Sequence, residues 1–216
     1  MALVALLVLF IAPGLAAAQS SPQALPLFPL PDVSLFPNTS QPFMVFEPRY
    51  REMVADALAG DSIIGIVMLA PGFEADYEGR PPVVAIGTVG VIVGSELLED
   101  GRYNLILRGV SKFRILEEDD SRVYRLARVE LVPESVAAAN RPLLTQRRRQ
   151  IEAAVRGLFP SARLPPAALS DEAAIDALAL GLPLEPLTRQ NLLEANGPLE
   201  RAAALLLLLR PPARAQ

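Results

Sequence analysis

The sequence predicts an α+β fold: a curled, β-rich part over residues 25–132, followed by a small helical bundle over residues 141–210. Three observations predict it. Residues 25–132 fall into short apolar runs, several rich in β-branched side chains and set off by Pro, Gly and Asp. Gly87, Gly90 and Gly94 punctuate the long run Val83–Val93, as expected where a sheet bends or bulges to curl into a barrel. Beyond Pro133, alanine, leucine and arginine take over and β-branched residues thin out.

The elements follow in chain order. LPLFP at 25–29 and Val33–Phe36 read as short strands cut by prolines. A proline has no N–H for a ladder, so such pieces are expected at sheet edges. Pro42–Phe46 reads as a further strand. In FEPRYREMVADAL, Pro48 suits a first helical position. Tyr50, Met53, Val54, Ala57 and Leu58 then share one helix face, with Arg49, Arg51, Glu52 and Asp56 on or beside the other. Glu47 precedes the helix and is expected to reach Arg51 one turn on. Gly60 ends the helix, which should plug one end of the barrel. Ser62–Leu69 is strand-length and apolar. Asp100-Gly101 signals a two-residue hairpin, after which Tyr103, Leu105 and Leu107 alternate with Arg102, Asn104 and Arg108. Lys112–Leu116 and Val123–Val132 continue the strand pattern, with Glu117–Asp120 expected as a solvated turn between them. Ala70–Pro82 is the long loop. Pro133, Asn140, Arg141 and Pro142 mark a linker. Ile151, Val155, Leu158 and Phe159 then fall at helical spacing. Ser170-Asp171-Glu172 reads as an N-cap with an acidic first turn, and Asn196-Gly197-Pro198 separates two helices. The last helix, Leu199–Arg210, is leucine-rich.

Composition bounds the chemistry. The 216 residues include no histidine and no cysteine, which excludes Ser-His-Asp and Cys-His nucleophile systems, His- or Cys-ligated metal sites, and disulfides. A net charge of −4 gives no reason to expect a nucleic-acid partner. Residues 2–18 carry no charge. Their apolar run is broken by Pro13-Gly14 and followed by three alanines, the pattern of an export signal over residues 1–18. That run is short of the roughly 20 apolar residues a membrane-spanning helix requires. The expected location is therefore outside the cytoplasm (periplasmic or secreted) if the segment is a true signal, and cytoplasmic otherwise. No membrane partner is expected unless the segment stays uncleaved.

The motifs that could carry catalysis read as structure. GTVG at 87–90 is not followed by a helix pattern and lacks the P-loop lysine. Lys112, the only lysine, alternates with Phe113 and Ile115 and should point to solvent, which disfavours a Ser-Lys dyad. Glu117–Asp120 lacks the spaced ligands and glycine of a calcium loop. Arg147–Arg149 reads as a solvated helix face. No cofactor is expected.

Read together, LPLFPLPDVSLFP, FEPRYREMV, IGIVML, GTVGVIV and LEDGRYNLILRGVSKFRI resemble the N-terminal substrate-binding domain of Lon proteases, a domain also found alone in bacteria and in cereblon-like proteins. LPLEPLTRQNLLEANGPLERAAALLLLL resembles the end of that domain, so the likeness covers about residues 25–210. It implies a curved PUA-like pseudo-β-barrel with an appended helical subdomain. It also implies capture of unfolded or degron-bearing polypeptides, or of a protein partner. Glu47, Pro48, Arg49 and Tyr50 become family-motif positions with a structural role. No Walker motif or Ser-Lys protease module occurs in the 216 residues, so a non-enzymatic binding module is expected. Phe73 and Tyr77, aromatics in the long loop, are the expected polypeptide contacts. Two other functions stay open. One is a hydrolase pairing Glu47 with Asp76 or Glu78; the other is an assembly or scaffold protein that packs its leucine-rich last helix on a partner.

Overall fold

The computed structural model describes residues 24–73 and 79–210. The expected leader at 1–18 lies outside the described residues. The strands are β1 (Leu25–Leu30), β2 (Ser40–Val45), β3 (Ile63–Met68), β4 (Ile86–Leu97), β5 (Tyr103–Asp119) and β6 (Arg125–Val132). The helices are α1 (Pro48–Ala59), α2 (Arg141–Leu158), α3 (Asp171–Gly181), α4 (Pro186–Glu194) and α5 (Pro198–Leu208), with a 3-10 turn at Ala138–Asn140. One mixed sheet runs β2-β5-β4-β3-β1-β6, and a further β5–β6 pairing closes five of its strands into a ring. Only the β1–β3 pair is parallel among the described strands.

Closure depends on bending β5. Its first residues, Tyr103–Arg108, pair with β2; its last, Lys112–Asp119, pair with β6. The β4–β5 register shifts between Val89 and Gly90, where β5 carries the extra residue Val110, and between Ile92 and Gly94, where β4 carries the extra residue Val93, so two of the expected glycines lie at bulges. Gly87 serves close packing instead. A Cβ there would lie 2.6 Å from Phe113 Cζ and closer still to the Ile66 carbonyl oxygen.

The prolines of β1 are not at a sheet edge, because β1 lies between β3 and β6. Its two partners overlap only at Leu27. Pro26 sits where only β6 is paired and Pro29 where only β3 is, so each proline occupies a locally free edge. Val33–Phe36 is irregular rather than a strand, although Leu35 and Phe36 are fully buried. The β4–β5 connection is also not a two-residue hairpin. Gly101 N–H donates to Leu98 O and Leu98 N–H to Arg102 O; Gly101 has φ +81, while Glu99 and Asp100 keep negative φ. That is a type I turn closed by a left-handed glycine. The acidic run is not a turn either. Glu117–Asp119 belongs to β5, where Glu117 pairs with Arg128 and Glu118 with Arg125, both at 3.1 Å.

α1 starts at Pro48 and buries Tyr50, Met53, Val54 and Ala57 against Phe28, Ile64, Leu105 and Leu107. Each large side chain so buried contributes about 1.5–3 kcal/mol. Leu58, expected on that face, is exposed because it lies at the edge of the apolar stripe. The remaining helices form a second core from Leu144, Ile151 and Val155 of α2, Ile175 and Leu178 of α3, and Leu205 of α5, with Phe36 from the sheet side. Ser170 Oγ accepts from Ala173 N–H at 3.2 Å, so the expected N-cap forms.

The seam between sheet and helices carries the largest departure from expectation. Lys112 does not reach solvent; it is 3% exposed. Its Nζ lies 2.8 Å from Glu134 Oε1 and donates to Ala195 O at 2.6 Å. Strand alternation aims Lys112 away from the barrel interior, and there the helices cover it. Arg201 of α5 is fully buried. It donates to both carboxylate oxygens of Glu134 (2.7 and 3.2 Å), to Leu192 O (2.9 Å) and to Asp176. Asn38 Nδ2 donates to Asp176 Oδ2 at 2.9 Å. Burial pushes the Asp176 carboxyl up to about 6, against the opposing pull of Arg201. Arg148, expected in a solvated run, is also buried. It shares the inward face of α2 with Leu144, Ile151 and Val155, and it pairs with Glu152 (2.8 Å) and Asp171 (3.2 Å).

Candidate functional site

The residues at the start of α1 meet one another and neighbouring elements. Glu47 pairs with Arg49 at 2.9 Å, not with Arg51. The Arg49 guanidinium lies 4.6 Å from the centre of the Tyr50 ring and donates to Gly79 O at 3.1 Å. The Tyr50 ring is 4.8 Å from that of Phe28. Tyr50 thus ties α1 to β1, and Arg49, paired with Glu47, ties it to the end of the 70–82 loop. Ala70 N–H closes the base of that loop on Pro82 O at 2.8 Å. Phe73 is 40% exposed. Tyr77, and the Asp76 and Glu78 named as partners for a hydrolytic Glu47, lie outside the described residues.

Tyr124 and Asp176 are the titratable groups most perturbed by their surroundings. Tyr124 O–H donates to Asp56 Oδ2 at 2.6 Å, beside a cleft of about 430 Å³ between α1 and β6. Burial first, and the Asp56 carboxylate second, push the Tyr124 hydroxyl up to about 12. Asp176 is fully enclosed by its own partners. Among the described residues no group of three or more Asp and Glu side chains is arranged to hold a metal ion.

A different face is open. In β2, β5 and the second half of β4, the register puts Pro42, Met44, Ile106 and Gly94 on one side of the sheet. Among the described residues no helix covers that side, which forms a shallow groove of about 520 Å³. Ile106 is 48% exposed at its centre and Met44 is 52% exposed beside it. Val93, the extra residue of the β4 bulge, and Phe46, just past β2, are exposed as well. The rim is polar: Asn104 donates to Glu96 at 3.0 Å, Arg102 pairs with Asp100 at 2.7 Å, and Arg108 forms no ion pair among the described residues. An apolar centre with a polar rim is the anatomy of an interaction surface. The sequence holds one sign of it. Within the solvent-facing series Arg102, Asn104, Arg108, position 106 is isoleucine.

Comparison with known proteins bears on what such a face is for. Residues 24–210 match the family model of the ATP-dependent protease La (LON) substrate-binding domain. The chain is 30% identical over 128 residues to Lon protease 2 of Myxococcus xanthus, spanning 59% of this chain and 15% of that protein. It is 28% identical over 190 residues to Lon protease 2 of Bdellovibrio bacteriovorus, spanning 83% of this chain and 23% of that one. The fold is similar to the crystal structure of a Lon N-terminal domain protein from Xanthomonas campestris, with 27% identity, a TM-score of 0.60, and coverage of 87% of this chain and 99% of that one. It is also similar in fold to the N-terminal domain of a Mycobacterium avium complex Lon protease, with a TM-score of 0.62 at 18% identity and coverage of 87% and 98%.

Proposed function

The chain belongs to the family of the LON substrate-binding domain, and from that premise we propose that it is a non-enzymatic module that holds apolar segments of unfolded or degron-bearing polypeptides. The observation that carries the reading is the uncovered outer face of β2, β5 and β4. It keeps Met44 and Ile106 in solvent, whereas Lys112 of the same sheet is buried. Burying such a surface against a client releases water from apolar area, the main favourable contribution to association. Phe73 and Tyr77 on the 70–82 loop supply a second contact in this reading.

The test is light scattering of a chemically denatured, aggregating client diluted into the purified protein. The reading expects suppression at near-stoichiometric ratios, and the same suppression in the presence and absence of ATP. Absence of both binding and suppression would remove it. Cleavage of casein by the purified protein would return the hydrolase reading.

A further inference from the structure

The hydrogen-bond phase of β5 shows which side of β2 is free. Leu98 N–H bonds Arg102 O, and the β4 register carries that phase to Glu96–Asn104 and Gly94–Ile106. The even-numbered residues of this stretch therefore turn their backbone groups to β4, and Tyr103, Leu105 and Leu107 turn theirs to β2. Gly109 N–H donating to Thr39 O at 2.9 Å sets the same phase from the other end. Gln41, Phe43 and Val45 thus spend their backbone groups on β5. Those of Ser40, Pro42 and Met44 point away from it, and among the described residues no strand pairs with that edge. The edge presents two N–H groups and three carbonyls, since Pro42 has no N–H to give. A proline on this edge also weakens pairing with a second copy, because two prolines facing each other across an axis exchange no hydrogen bond.

The charges choose among extended occupants. Arg108 stands between Ser40 of β2 and Val91 of β4 in the register, with no ion pair among the described residues, and the small Ser40 leaves it open toward the edge. At the other end Arg102 is neutralised by Asp100. Among the residues that β2 and β5 pair, Arg108 is the one cation, and it stands at the Ser40 end.

Resting on the proposed polypeptide-binding function, we propose that the free edge of β2 takes an extended client segment as a seventh, antiparallel strand, with alternate apolar residues opposite Met44 and Pro42 and an acidic residue opposite Ser40, beside Arg108. Directly opposed residues of a ladder share a face. The client residues that bond to Ser40, Pro42 and Met44 are therefore the same ones that lay side chains on the groove around Ile106. Backbone pairing gives affinity without naming a sequence, and the groove and Arg108 add preference for apolar residues and for one acid.

The experiment uses a fluorescein-labelled, C-terminally amidated peptide, Val-Thr-Leu-Thr-Asp, titrated with the full chain and read by anisotropy. N-methylation of its leucine removes the donor for the Pro42 carbonyl and should weaken binding about tenfold or more. N-methylation of either threonine, whose N–H faces away, should change binding by less than about twofold. Arg108→Glu should weaken the aspartate peptide about fivefold and strengthen the peptide ending in lysine by a similar factor. Arg108 is exposed, so this variant keeps the fold. No detectable binding at millimolar protein, or equal effects of leucine and threonine methylation, overturns strand addition. Client suppression that persists in that case leaves the broader function standing and moves the contact elsewhere, with Phe73→Ala as the next variant.

Discussion

The two halves of β5 invert the usual rule of inside and outside. In its first half, Ile106 faces water on a side that no described helix covers; in its second half, Lys112 is enclosed beneath α4 and α5. Both point away from the barrel interior. Their different fates come from what lies above them. Where the helices cover the sheet, a buried ion network of Lys112, Glu134, Arg201 and Asp176 joins the two layers. Where nothing covers it, an apolar residue waits at the surface. The first half of the strand is thus available to a partner, and the second is already occupied by the protein's own helices.

Breaking the covered half should have the largest effect. Arg201→Ala leaves Glu134 facing only Lys112 and Asp176 without its cation, and urea denaturation should show a loss of about 3–5 kcal/mol. If that variant does not fold, Lys112→Met tests the same network more gently. Glu134 keeps Arg201 while Ala195 O loses its donor, a loss of about 1–3 kcal/mol.

The network also sets a pH dependence. The Asp176 carboxyl is raised to about 6 in the folded protein, above its unfolded value near 3.8. The folded state therefore takes up this proton first as pH falls. Its contribution to stability is fully present below about pH 4 and is lost as pH rises through 6, amounting to roughly 3 kcal/mol. Stability measured from pH 4 to 7 should fall by about that much more in the wild type than in Asp176→Asn. A parallel pair of curves would place the titration elsewhere.

The uncovered half should answer in the opposite way. Ile106→Glu replaces an exposed side chain, and stability should stay within about 0.5 kcal/mol of the wild type. Client binding should weaken while the melting curve barely moves. A large loss of stability would mean that Ile106 belongs to the core.

Much of the fold was legible in the sequence, but this contrast was not. α1 could be placed from FEPRYREMVADAL because a helix with Pro at its start and an apolar stripe on one face needs only local information. The bulges at Gly90 and Gly94 were legible for the same reason. Lys112 and Arg148 were not. Periodicity tells which side of an element a residue occupies, but not whether a distant segment covers that side; Glu134, Ala195 and Asp171 lie far along the chain from the cations they meet. Glu47 pairs with Arg49 rather than Arg51 because of local geometry that spacing alone does not settle. The groove was missed for a related reason. Ile106 is conspicuous only once the register shows Met44 and Gly94 at its sides.

The central claim is that the outer face of β2, β5 and β4 holds apolar polypeptide. The most direct measurement is suppression of client aggregation by wild type and by Ile106→Glu, side by side, with both proteins shown to melt at the same temperature. The account predicts suppression by the wild type and at least a severalfold loss in the variant. Equal suppression by the two proteins would contradict it.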